Sequence, residues 1–181
     1  MSWRGVLIER KGGPLPPARA AARLAAYLYG NILVLASVVV ASAHSIIDGT
    51  AALLVLGTGV TTYAAHVFAE LIAHGNIPEA HGAGDSAGLR RILGDELRDA
   101  VPIASSAIGP ALVLGLGYHA LIPTQAAHLV AGAVVVVRIA SVPLVTERVR
   151  GNAVGPRVLV AGLLTAALAA LIVLLKTFLG H

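Results

Sequence analysis

The chain has 181 residues, of which 57% are hydrophobic and only 12% charged, and its mean hydropathy is +0.84. Soluble globular domains hold about 45–50% apolar and about 25% charged residues, so this composition belongs to a chain whose solvent is largely lipid. Cysteine is absent, which excludes disulfides, thiolate metal sites, iron–sulfur clusters and cysteine nucleophiles. The formal charge of +4 is compatible with nucleic-acid binding, but the basic residues lie in short stretches beside hydrophobic runs, where membrane topology accounts for them. No nucleic-acid partner is expected.

In chain order, residues 1–23 are a basic segment carrying Arg4, Arg10, Lys11, Arg19 and Arg23. Five apolar stretches follow, at about 24–43, 50–74, 100–122, 125–145 and 158–179. Each approaches or exceeds the ~20 residues a helix needs to cross a bilayer, and lipid leaves helices as the spanning form for runs this long. The predicted fold is all-α: a polytopic membrane bundle of five transmembrane helices forming one membrane domain over 1–181. The motif "VVVASAH" at 38–44 imitates a signal-peptide cleavage site ending at Ala43. The apolar run before it is long for a signal peptide and the leader is unusual, so an uncleaved first span is expected.

The loops at 44–49 and 123–124 are minimal, which makes spans one and two, and spans three and four, antiparallel hairpins. The connection 75–99 is longer and opens with the turn formers of "GNIPEAHGAGDSAG". It continues with Leu89, Ile92, Leu93 and Leu97 at helical spacing between arginines and acids. Two readings fit: an amphipathic helix on the membrane surface, or a soluble helix packed on the bundle that a cytoplasmic partner could engage.

Eleven basic residues lie on one side of this topology, Lys176 alone on the other, and Arg138 within span four. The positive-inside rule then places the N-terminus in the cytoplasm and the C-terminus outside. Of the 13 basic residues 11 are arginine, a bias typical of a GC-rich bacterial genome, so the expected location is the bacterial cytoplasmic membrane, multi-pass.

Span two carries Thr58, Thr62, His66, Glu70 and His74 at four-residue spacing. Each step rises about 6 Å and drifts about 40°, so neighbours share a face and the row winds slowly round the helix. Tyr27 and Asn31 of span one, Ser105 and Ser106 of span three, and Arg138 of span four are predicted at the level of His66 and Glu70. A buried arginine needs a partner, and Glu70 is the one acid well inside a span, so an Arg138–Glu70 ion pair or a water-bridged equivalent is predicted, with His66 and Tyr27 nearby. A second polar group, His44, Asp48, His119 and His128, falls near the outer surface.

Several chemistries compete for these residues. His66, Glu70 and His74 are the residues that could hold a divalent metal, but the outer two are about 12 Å apart along one helix and cannot share an ion. Haem would need facing histidines such as His119 and His128. Ser105 and Ser106 lack the context of a nucleophile elbow, so the chain leans away from an enzyme. No cofactor is expected. A row of Thr, His and Glu suits proton or cation movement, with Thr62, His66, Glu70, His74, Arg138, Tyr27 and Asn31 lining the pathway. A single five-helix subunit has little interior, so a homo-oligomer in the bilayer is expected. The alternative is an accessory membrane protein whose polar groups only hold a bundle or a complex together.

Overall fold

The computed structural model describes residues 9–10, 13–14, 17–76, 93–94, 96–149, 153 and 155–179, with side chains described within 19–73, 93–94, 96–147, 153, 155–172 and at 175. A two-residue antiparallel ladder, β1 (Glu9–Arg10) with β2 (Gly13–Pro14), precedes the helices. The helices are α1 (Pro17–Val39), α2 (Ala43–Ile47), α3 (Thr50–Asn76), α4 (Val101–Tyr118), α5 (Thr124–Ala140), α6 (Val142–Val149) and α7 (Pro156–Leu179).

Four stretches are long and apolar enough to cross a membrane: Arg19–Val39, Thr50–Ala73, Glu96–Tyr118 and Thr124–Glu147. The fifth predicted stretch is the helix α7, but its described apolar part, Pro156–Ile172, is shorter than a full crossing. The outer surface is lined by large apolar side chains, among them Leu53, Phe68, Leu112, Leu129, Val137 and Leu163, each about two-thirds exposed. Apolar faces this extensive are stable in lipid and not in water.

Several boundaries differ from expectation: α4 ends at Tyr118 and not at 122, and the others have a local reason. Helix α1 starts early, because Pro17 occupies its first position, where a missing N–H costs nothing. It also stops early, at Val39, and the loop predicted at 44–49 is largely the short helix α2. Ser42 and Ser45 form a reciprocal capping box there, each side chain accepting from the other's backbone N–H. The fourth span is interrupted at Ser141, between α5 and α6. Pro143 cannot donate to the Ile139 carbonyl, which loosens the helix at that turn.

Helix α1 is the hub, packing against α3, α4, α5 and α7. Helix α3 packs on α1 and α4, whereas α5 packs on α1, α4 and α7. The core is small and aliphatic, with Val34, Val38, Ile46, Val55, Leu114, Ala127, Val135 and Ile139 all at or near zero exposure. Close backbone approach sets the seams. A Cβ on Gly59 would lie 2.6 Å from Ala107 Cβ, and one on Gly117 2.7 Å from Ala127 Cβ. A Cβ on Gly162 would collide with the Ala140 carbonyl oxygen at the α5–α6 break. Small residues at seams are what allow apolar helices to associate where lipid is as apolar as leucine.

Candidate functional site

Arg138 makes no direct ion pair with Glu70. Its Nε donates to Asn31 Oδ1 at 2.9 Å, and its guanidinium carbon lies 5.2 Å from the centroid of the Tyr27 ring. The physical reason is the order of the helices around α1. Glu70 rides on α3 and Arg138 on α5, and these two helices contact different flanks of the hub.

The Arg138 cluster is held from both helices, α1 and α5. Asn31 is fully buried, and its Nδ2 donates to the Tyr27 carbonyl at 2.7 Å, which turns the amide oxygen toward Arg138. The Tyr27 hydroxyl in turn donates to the Arg138 carbonyl at 3.3 Å. Behind them, a Cβ on Gly30 would sit 2.9 Å from Ile103 Cα, so α1 lies hard against α4 at this level. Tyr27 and Asn31 straddle the midpoint of the apolar run Arg19–Val39, which puts the guanidinium near mid-span.

Ser105 and Ser106 do not join this cluster. Each donates to a carbonyl of its own helix, Ser105 to Pro102 at 3.1 Å and the fully buried Ser106 to Ile103 at 2.6 Å. Such back-bonding is the usual fate of serine within an apolar helix.

The polar row of α3 occupies the border between its buried and exposed faces. Ala51, Val55, Gly59 and Val67 form the buried line, while Gly57, Thr61, Ala65, Ala69 and Ala73 are exposed. Thr58, Thr62, His66 and Glu70 are half-buried between those two lines. Thr58 meets Ser37 of α1 at 2.7 Å between hydroxyl oxygens. Both hydroxyls also lie within bonding distance of carbonyls of their own helices, Leu54 and Leu33, so two protons serve three contacts. Further along, Thr61, Thr62, Ala65, His66 and Ala69 line a groove of about 420 Å³ whose opposite wall is Tyr29 of α1. The polar layer is thus divided: Tyr27 and Asn31 face α5, while Tyr29, two residues from Tyr27 and on another side of the same helix, faces the α3 groove. The side chain of His74 lies outside the described residues, as does most of the 75–99 connection.

Three further polar contacts tie the ends of the bundle. Asp99, just before α4, accepts from Arg19 Nε at 2.9 Å and lies 3.8 Å from Arg23 Nε. The Tyr63 hydroxyl donates to the Leu97 carbonyl at 3.1 Å. At the opposite end His128 Nε2 lies 2.8 Å from the Val38 carbonyl oxygen. A carbonyl can only accept, so Nε2 carries the proton, and the ring adds a second bond to a carbonyl that also accepts from the Ala41 N–H at 3.1 Å.

The surface group predicted at that end is dispersed. His44 is almost fully exposed, with Nε2 3.7 Å from Asp48 Oδ2. Asp48 Oδ1 accepts from the backbone N–H and the hydroxyl of Thr50, at 2.9 and 2.5 Å, capping the start of α3 after Gly49 turns the chain with φ +83°. These Thr50 bonds hold the Asp48 carboxyl below its ordinary value. His119 stacks edge-on with Tyr118, centroids 4.8 Å apart. Among the described residues no three His or acidic side chains stand where they could share a metal ion.

Fold and site together define a class: a helical bundle with four helices long and apolar enough to cross a membrane and polar groups set along two seams of its central helix. No family model matches the chain, and neither a curated protein nor a solved structure matches it.

Proposed function

We propose that the chain is a five-span protein of the bacterial cytoplasmic membrane that translocates protons or cations along the border row of α3. The N-terminus would be cytoplasmic, following the basic-residue asymmetry, and α7, 24 helical residues and about 36 Å long, would be the fifth span. The observation that carries this reading is the groove. Thr62 and His66, with Tyr29 opposite, put exchangeable hydrogen-bonding groups on a surface otherwise built of apolar side chains. Polar and ionisable groups at membrane depth face water or protein, because lipid cannot solvate them. Histidine exchanges protons near neutral pH, and hydroxyls relay them or replace water around a cation.

The groove opens outward from one subunit, so a homo-oligomer packed across the exposed line of Gly57, Thr61, Ala65 and Ala69 would enclose it. Glu70, one turn beyond His66, would continue the path. The absence of cysteine allows a direct test. Single cysteines at Thr62 and Ala69 should react with a membrane-impermeant thiol reagent, whereas one at Leu112, exposed on α4, should not. Equal protection at all three positions would sink a hydrated path.

A second reading has an observation in its favour. Arg138 with Asn31, Ser37 with Thr58 and His128 with Val38 are all contacts between helices of one chain. In an accessory membrane protein such contacts would serve cohesion alone, and the purified chain would move no ion.

A further inference from the structure

A guanidinium is charged at every physiological pH and carries five N–H donors in a planar fork. In Arg138 only Nε has an acceptor among the described residues, the amide oxygen of Asn31. Neither Nη group has one among the described residues, and Arg138 as a whole is half-buried. The partners that fix the side chain, Asn31 and Tyr27, are neutral, so they orient the charge without cancelling it.

The side chain also does not run to the near surface, as arginines at membrane edges do. Tyr27 accompanies the backbone carbonyl of Arg138, whereas its guanidinium reaches Asn31, one helical turn or about 6 Å farther from the start of α1. It points along the span, toward the middle of the apolar run. Bonded at Nε and stacked on a ring, it is pre-oriented with its outer edge unused. That edge matches an oxyanion, which takes two parallel N–H bonds from Nη and supplies the missing counter-charge.

We propose that Arg138, positioned by Asn31 and Tyr27, is a binding site for a small oxyanion, a carboxylate or phosphate group, that reaches it from the aqueous phase. The site lies on a different seam from the α3 groove, and it stands or falls independently of ion translocation.

The test is calorimetric titration of the intact protein in phosphatidylcholine nanodiscs with sodium phosphate, against sodium chloride at equal ionic strength. Saturable phosphate binding is expected, weakened at least about tenfold in Arg138→Gln. Asn31→Asp keeps the arginine and places a carboxylate beside it, so that variant should fold and also lose phosphate binding to an internal ion pair. In nanodiscs containing phosphatidylglycerol the phosphate binding should persist, and its abolition would assign the edge to a lipid headgroup and overturn the proposal. Absence of saturable binding in phosphatidylcholine would overturn the proposal. So would binding that survives in both Arg138→Gln and Asn31→Asp.

Discussion

Arg138 and Asn31 meet across the α1–α5 seam through one charge-assisted hydrogen bond of 2.9 Å, and this neutral acceptor stands where a carboxylate was expected. Hydrogen bonds to charged groups are worth about 1.5–3 kcal/mol, more than the ~0.6 kcal/mol average between membrane helices. Asn31→Leu should therefore lower stability by about 2 kcal/mol, read from unfolding in detergent. An unchanged unfolding midpoint would show that the bond contributes nothing net.

The hydroxyl pair of Ser37 and Thr58 should behave differently. Each oxygen keeps a carbonyl of its own helix when the partner is removed, so little is left unsatisfied. A double-mutant cycle of Ser37→Ala and Thr58→Val should give a coupling of about 0.6 kcal/mol, and not above ~1.7 kcal/mol.

Glycines that the sequence presents as equivalent should separate sharply on substitution. A Cβ at Gly59 would meet Ala107 Cβ at 2.6 Å, whereas one at Gly57 meets nothing within 4 Å. Gly59→Val should cost about 1–3 kcal/mol by overpacking the α3–α4 seam. Gly57→Ala should be neutral or slightly stabilising, since alanine is the better helix former. Comparable losses at both positions would contradict the seam as described.

The helical class was legible because hydropathy integrates over whole spans, and each predicted stretch is mostly helix. The breaks were not, because they rest on single residues: a serine pair closing a capping box at Ser42, and Pro143 withholding one donor. Depth of the polar groups was readable from residue counting, but azimuth was not. Tyr27 and Tyr29 lie at nearly one level and serve different seams. Counting therefore placed Arg138 and Glu70 in one layer without revealing that α1 separates them. Asp99 was missed because it stands at a span boundary, although Arg19 and Arg23 near the start of span one were a signal for it.

Asp48 supplies an acid-side signature. Its carboxyl is held below the ordinary aspartate value of 3.8 by the Thr50 hydroxyl, then the Thr50 N–H. A depressed pKa means that the folded state favours the ionised form. Its contribution is thus complete above the unfolded value and is lost as pH falls through the lower folded value. The melting temperature of the wild type should therefore fall more steeply below pH 3.8 than that of Asp48→Asn. Parallel acid limbs would show that this cap does not couple to folding.

The proposed orientation can be read from two exposed positions in the cysteine-free background. A cysteine at His44 should react with an impermeant reagent on intact cells, and one at Ala153 only after permeabilisation. The reverse pattern would invert the topology and with it the sidedness of the α3 row.

The central claim is that the row of α3 moves ions, and the most direct measurement is flux in liposomes carrying a pH-sensitive dye and a divalent-ion dye. The account expects the wild-type protein to dissipate an imposed gradient, and Glu70→Gln and His66→Ala each to slow that dissipation by at least about tenfold, the scale of one lost hydrogen-bonded relay group. A wild-type protein that moves neither protons nor cations, or flux that both substitutions leave unchanged, would contradict it.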